Sequence, residues 1–75
     1  MKITVETGKW ATRYVDAPVV DLDMPEGATV ADVVNAIKIP AEEAGIAVLG
    51  GKAIARDYIL SDRDVVKIYP VIVGG

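Results

Sequence analysis

The stretch that decides the fold reads Thr29-Val30-Ala31-Asp32-Val33-Val34-Asn35-Ala36-Ile37. Its apolar positions 30, 33, 34 and 37 are spaced i, i+3, i+4 and i+7, so they form one stripe along a helix. Thr29 suits the N-cap, and the Asp32 carboxylate in the first turn suits the helix dipole. Because β-branched residues are mediocre helix formers, packing of the stripe against a sheet must stabilise this helix. We expect it to end near Ile39, since Pro40 disfavours helical geometry at the preceding residue.

Short alternating stretches on both sides of the helix predict a sheet. The predicted strands are Lys2–Glu6, Val19–Met24, Ile46–Leu49, Lys52–Ile54 and Val65–Val71. Gly50 and Gly51 fit a tight hairpin turn that needs positive φ. One helix with one apolar stripe is covered by one sheet, which predicts an α+β domain with a mixed sheet of about four to five strands wrapping one main helix. The first and last strands are the natural central pair, and the long connection between them allows a parallel pairing.

Two connecting segments carry less regular patterns. Residues 9–17 hold Trp10 and Tyr14, which we expect to anchor this loop onto the domain, because tryptophan in small domains mostly supplies buried area. Contact of these aromatics with a partner is the alternative. Residues 56–60 predict a helical turn that tucks Leu60 or Tyr58 inward, and residues 61–64 predict a further turn before the last strand.

Length and composition exclude several classes of function. The 75 residues suit a single domain. The chain has no Cys and no His, which excludes a disulfide framework, a cysteine nucleophile, a zinc-type metal site and an imidazole base. Its formal net charge of −3 argues against nucleic acid as a partner. No apolar run approaches the roughly 20 residues of a membrane span, and the early charges do not fit a signal peptide, so we expect a cytoplasmic protein and no membrane partner.

The final residues, Ile72-Val73-Gly74-Gly75, predict a flexible tail that extends from the single domain formed by residues 1–75. Glycine has no Cβ, so a Gly-Gly end can thread a narrow channel in another protein and leave its terminal carboxylate open to attack. Small residues are also common at frayed chain ends, so the pair alone is a weak signal.

Several phrases, taken in order, resemble the sulfur-carrier proteins of molybdopterin and thiamine biosynthesis, which have the ubiquitin-like β-grasp fold. The phrases are Pro25–Val34, Val48–Lys52, Arg56–Val66, Tyr69-Pro70 and Gly74-Gly75. The chain departs from that family at two turns. Gly50-Gly51 replaces the usual Asn-Gly, and Arg63 replaces a glycine, so positive φ at Arg63 would be mildly strained.

The resemblance implies a carrier rather than an enzyme. In that family an activating enzyme uses ATP to adenylate the terminal carboxylate, and a sulfur donor protein converts it to a thiocarboxylate. The large subunit of molybdopterin synthase, or thiazole synthase, then takes the sulfur. Carried over, Gly75 bears the reactive carbon, and Gly74, Val73 and Ile72 form the inserted tail. The chain would be the non-catalytic small subunit of such a synthase, with no bound cofactor or metal.

The composition agrees with a carrier of this kind. Since the chain has no cysteine, any sulfur that it carries must sit at its end. Docking is expected to use the outward face of the last strand, with Tyr69 and Lys67 beside the tail. Val71 belongs either to this docking surface or to the core. The carboxylates of residues 42, 43, 62 and 64 are expected to be solvated rather than to meet a basic partner.

Two other functions are compatible with the same tail and fold. The first is a ubiquitin-like modifier that joins Gly75 to lysines of other proteins, and the second is a β-grasp interaction module whose tail is idle. Between the two biosynthetic pathways, the longer first connection and Pro70 slightly favour molybdopterin over thiamine.

Overall fold

The computed structural model describes residues 1–71, and these form one mixed sheet with a helix packed on it. In chain order the elements are β1 (Lys2–Glu6), a 3₁₀ turn (Lys9–Ala11), β2 (Val19–Asp23), α1 (Val30–Ala36), β3 (Ala44–Leu49), β4 (Lys52–Ile54) and β5 (Val65–Pro70). The sheet has five strands in the order β2-β1-β5-β3-β4. This is the ubiquitin-like β-grasp fold, and it confirms the predicted class.

The pairing of β1 with β5 sets the position of the chain's carboxyl end. These central strands are parallel, with Thr4 opposite Val65 and Glu6 opposite Lys67. The other pairs, β1 with β2, β3 with β5 and β3 with β4, are antiparallel. Because parallel strands end at the same edge of a sheet, the end of β5 lies beside the connection that follows β1.

The core lies between α1 and the inner face of the sheet. Its centre consists of three residues of the helix stripe and the inward residues of β1 and β5, each at most 3% exposed: Val30, Val33, Val34, Ile3, Val5, Val66 and Ile68. Ala11 and Val15 of the 9–17 loop are also buried, and Trp10 and Tyr14 pack against the cluster. The prediction that the aromatics anchor this loop is therefore confirmed.

The amino end of α1 lies where the sequence predicts it, but the carboxyl end lies earlier in the chain than predicted. The Asp32 backbone N–H donates to the Thr29 hydroxyl at 3.3 Å, and the Thr29 N–H donates to the Asp32 carboxylate at 2.9 Å, a capping box. The helix ends at Ala36, because Lys38 adopts a left-handed backbone with φ of 63°. The predicted end near Ile39 was wrong, because the helix ends before it reaches the residues whose geometry Pro40 restricts.

Two further local predictions need correction. β3 begins at Ala44 rather than at Ile46, and an irregularity in its register with β5 lies between these residues. The stretch 56–60 is not helical. It contains a turn closed by the Tyr58 N–H on the Ala55 carbonyl at 3.1 Å, followed by an isolated bridge between Ile59 and Thr29. Leu60 is buried there, and the Tyr58 side chain points outward.

Within residues 1–71, no helix has the length and apolar character needed to cross a membrane.

Candidate functional site

The site that the sequence predicts is the end of β5 and the chain that follows it. Pro70 and Val71, here called the tail root, are the last described residues before Ile72. The predicted reactive residue Gly75 and the predicted insertion residues 72–74 lie outside the described part of the chain. The structure therefore shows how the tail root is held and what surrounds it.

The tail root is held against the start of β3. Ala44 pairs with Pro70, and the Val71 backbone N–H donates to the Glu43 carbonyl at 3.1 Å. Gly45 lies so close that a Cβ on it would be 2.7 Å from the Pro70 carbonyl oxygen. A glycine is required at this position because the two backbones approach each other too closely for a side chain.

The turn that supplies the Glu43 carbonyl is itself fixed by hydrogen bonds. The Glu43 and Ala44 N–H groups both donate to the Pro40 carbonyl, at 2.9 Å and 3.2 Å. The Arg56 guanidinium donates to the Ala41 carbonyl at 3.1 Å and also to the Ala44 carbonyl. Arg56 therefore joins both ends of this turn to the segment that follows β4.

A side-chain contact joins the same turn to the 9–17 loop. The Tyr14 hydroxyl donates to the Glu43 carboxylate. This hydrogen bond, together with partial burial and the negative charge of Glu43, raises the pKa of Tyr14 above its ordinary value, and the nearby Arg13 opposes the shift. Glu43 thus contacts the loop through its side chain and the tail root through its carbonyl.

Two shallow grooves flank the tail root, and Trp10 and Pro70 line both. One, of about 340 Å³, lies between the ends of β1 and β5. The other, of about 320 Å³, lies on the side of the acidic turn, where Arg13 and Glu42 also line it.

The outer face of the sheet, opposite α1, carries exposed apolar side chains next to the tail root. Tyr69 lies opposite Ile46 in the pairing of β5 with β3, and Lys67 lies opposite Val48. Tyr69 is 49% exposed and Ile46 is 56% exposed, and Val65 extends the same face at 42%. We call Ile46, Val48, Val65, Lys67 and Tyr69 the outer patch.

The structure places the predicted docking residues on the surface. Tyr69 and Lys67 are exposed on the outer face of β5. Val71 is 48% exposed, so the alternative that it belongs to the core was wrong. Ile46 and Val48 were missed as members of this surface. The alternation Ile46-Ala47-Val48 was a usable signal, but the partner strand that brings them beside Tyr69 cannot be read from it.

Three of the four carboxylates that were expected to be solvated accept hydrogen bonds within the domain. Asp62 accepts a hydrogen bond from the Lys2 N–H at 2.7 Å, and Asp64 accepts one from the Ser61 N–H at 2.8 Å. These carboxylates organise the turn before β5. Glu43 accepts the Tyr14 hydroxyl, and Glu42 is exposed.

A comparison with protein families matches residues 15–73 to the family described as Mut7-C ubiquitin. The chain belongs to the Mut7-C ubiquitin family. The matched range includes the tail root, β3 and the turn that holds them together. No curated protein matches this Mut7-C ubiquitin domain.

Solved structures share the fold of this Mut7-C ubiquitin domain at low sequence identity. A candidate molybdopterin converting factor, subunit 1, from Pyrococcus furiosus superposes with a TM-score of 0.77 at 22% identity, covering 96% of this chain and 99% of that one. SAMP1 from Haloferax volcanii gives 0.76 at 15% identity, with 100% of both chains covered. Another structure of H. volcanii small archaeal modifier protein 1 gives 0.75 at 14%, covering 95% and 98%. The predicted resemblance is confirmed at the level of the fold.

Proposed function

We propose that this Mut7-C ubiquitin domain is a sulfur carrier that works through the carboxylate of Gly75. An activating enzyme would catalyse attack of this carboxylate on the α-phosphorus of ATP, releasing pyrophosphate and forming an acyl adenylate. The terminal sulfur of a persulfide on a donor protein would then attack the acyl carbon and displace AMP. A thiol would cleave the S–S bond of the resulting acyl disulfide, which leaves a thiocarboxylate on Gly75 and a disulfide on the donor. The observation that supports this proposal is a central strand, β5, that ends in a firmly held tail root shortly before Gly74 and Gly75.

In this proposal the domain is a substrate and a delivery arm, and other proteins supply the catalysis. A carboxylate is a poor electrophile, so ATP has to activate it before sulfur can be added. The chain has no cysteine that could carry sulfur, which leaves its terminal carboxylate as the place for it. ATP would bind to the activating enzyme rather than to this domain.

The proposed partners are the activating enzyme, the sulfur donor protein and a synthase that takes the sulfur. For the last of these we favour the large subunit of molybdopterin synthase over thiazole synthase. The name of the Pyrococcus furiosus neighbour supports this choice, as do the longer first connection and Pro70.

The outer patch and Val71 are the proposed docking surface for these partners. The patch is apolar at Ile46, Val65 and Tyr69, has one cation at Lys67 and lies beside the tail root. An activating enzyme or synthase with an apolar recess, an acidic group facing Lys67 and an adjoining narrow channel would match it. A fully desolvated apolar contact of this kind commonly supplies much of the binding free energy of an interface.

The direct test is the intact mass of the domain after incubation with ATP, an activating enzyme and a sulfur donor. We expect a gain equal to the mass difference between sulfur and oxygen. The gain should be absent without ATP, and it should also be absent in a chain that lacks Gly75. No gain with an enzyme that thiolates its own carrier would contradict the proposal, as would a cellular protein that continues beyond Gly75 without being trimmed.

The second candidate function is conjugation of Gly75 to lysines of other proteins. The observation that favours it is the fold shared with H. volcanii small archaeal modifier protein 1. Isopeptide adducts that end in Gly74-Gly75 on cellular proteins would support this candidate. A thiocarboxylate found without such adducts would count against it. If the domain is instead an interaction module whose tail takes part in no reaction, deletion of Gly75 should leave its cellular function intact.

A further inference from the structure

We propose that Tyr14, Glu43 and Arg56 form a clamp that fixes the direction in which the chain leaves β5. Within it, Tyr14 and Glu43 are positioning residues for the chemistry at Gly75. The clamp follows from contacts among described residues, and its effect on that chemistry rests on the proposed function. We call these three residues the root clamp.

The end of β5 has few backbone donors. Pro70 has no N–H, so it cannot donate a hydrogen bond to a neighbouring strand. The next donor, the Val71 N–H, binds the Glu43 carbonyl at 3.1 Å. The direction of the chain at Val71 therefore depends on where the Glu43 carbonyl is held.

Arg56 fixes the turn that contains the Glu43 carbonyl. Its guanidinium donates to the carbonyls of Ala41 and Ala44, which lie on either side of Glu43. A planar guanidinium presents several donors in a fixed arrangement, so one side chain can hold two carbonyls at a set separation. Arg56 is half-buried, which limits competition from water.

Tyr14 connects this turn to the core of the domain. Its hydroxyl donates to the Glu43 carboxylate, and hydrogen bonds to an ionised acceptor are roughly twice as strong as neutral ones. Tyr14 belongs to a loop that is anchored by the buried residues Ala11 and Val15. The raised pKa of Tyr14 agrees with a hydroxyl that stays protonated and donates to this carboxylate.

A clamp at this point matters because it sets where the tail starts and in which direction it leaves the domain. Four residues span at most on the order of 13 Å, so the position of Val71 limits where Gly75 can be delivered. A misplacement of about 1 Å at a reacting centre can lower a rate by about 100-fold. Restricting the direction at the root also reduces the conformational freedom that the tail loses on entering a channel.

Amide hydrogen exchange at Val71 tests the clamp without any partner protein. In Tyr14→Phe and Glu43→Ala we expect Val71 to exchange about five- to tenfold faster, the effect of weakening one hydrogen bond. Glu43→Gln keeps an acceptor oxygen but loses the charge, so its exchange rate should lie between those of Glu43→Ala and the wild type. Tyr58→Phe removes an exposed hydroxyl outside the clamp and serves as the matched control. Unchanged exchange at Val71 in both Tyr14→Phe and Glu43→Ala would overturn the clamp.

Activation kinetics of the same variants test the positioning role. With an activating enzyme in hand, we expect kcat/KM for Gly75 activation to fall about tenfold in Tyr14→Phe and Glu43→Ala, which is about 1.4 kcal/mol. Tyr58→Phe should remain near the wild type, and Glu43→Gln should lie between the wild type and Glu43→Ala. Faster exchange with an unchanged kcat/KM would overturn the positioning role. A wild-type domain that is never activated would refute the proposed function, while the exchange rates would still decide whether the clamp exists.

Discussion

Arg63 is held in a backbone conformation that costs free energy for every residue except glycine. Its φ is 70°, and its N–H donates to the Lys2 carbonyl at 2.7 Å, so the turn cannot easily relax. A residue with a Cβ in the left-handed conformation costs roughly 1–2 kcal/mol relative to glycine. Glycine loses more conformational entropy on folding, and this loss offsets about half of that difference. We therefore expect Arg63→Gly to raise the free energy of unfolding by ~0.5–1 kcal/mol in urea titrations.

The control for this substitution is Arg63→Ala, which removes the charge but keeps the Cβ. The ion pair between Arg63 and Asp62 is long, at 3.9 Å, and exposed, so its loss should change stability very little. An Arg63→Ala variant as stable as Arg63→Gly would show that the gain does not come from backbone strain.

Tyr14 predicts a pH dependence on the alkaline side. Its pKa is raised in the folded state above the ordinary 10.0, because the hydroxyl donates to the Glu43 carboxylate. The unfolded chain therefore loses this proton at a lower pH than the folded domain, and stability falls as pH rises through 10.0 and up to the raised pKa. Thermal midpoints measured below and above pH 10.0 should fall more steeply for the wild type than for Tyr14→Phe. Parallel curves would show that the hydrogen bond does not form in solution.

At the scale of elements, the register between β3 and β5 depends on a missing side chain at Gly45. A Cβ at this position would lie 2.7 Å from the Pro70 carbonyl oxygen and 2.9 Å from the Val71 nitrogen, which are backbone atoms and cannot rotate away. We expect Gly45→Ala to destabilise the domain by ~1–3 kcal/mol and to speed amide exchange at Val71. Chemical denaturation and exchange rates measure the two effects.

Gly8→Ala is the matched control for Gly45→Ala. A Cβ at Gly8 would meet the Trp10 side chain at 3.2 Å, and a side chain can shift where a backbone cannot. The Gly8 variant should therefore cost less and should leave exchange at Val71 close to the wild type. Equal effects of the two substitutions would show that the tail root is not held by close approach of β3.

The elements differ in how far the sequence predicts them. Alternation of polar and apolar residues is sufficient to predict β1 and β2, and the Thr29 cap is sufficient to predict the start of α1. Both signals depend only on neighbours along the chain. The end of α1 escaped prediction because a lysine, Lys38, adopts the left-handed conformation that usually marks a glycine. The contact between Tyr14 and Glu43 escaped it because these residues are 29 positions apart and meet only through the sheet topology.

For the molecule as a whole, the parallel pairing of β1 with β5 explains why the candidate site is where it is. Both strands end at one edge of the sheet, so the 9–17 loop that follows β1 lies beside the tail root. The antiparallel pairing of β3 with β5 brings the Glu43 turn to the same edge. The loop, the turn and the tail root therefore lie together at one edge of the sheet, and the outer patch begins directly next to them.

This arrangement predicts that the two halves of the outer sheet face differ in function. Ile46 on β3 and Val19 on β2 are both exposed on this face, at 56% and 53%, but only Ile46 lies next to Tyr69. Ile46→Asp should leave the fold intact and lower kcat/KM for Gly75 activation by about 30-fold or more, the effect of losing an interface residue worth ~2 kcal/mol. Val19→Asp introduces the same charge and should change kcat/KM by less than about twofold, since exposed substitutions away from an interface have small effects. Equal losses in the two variants would show that charge, rather than the outer patch, governs the encounter.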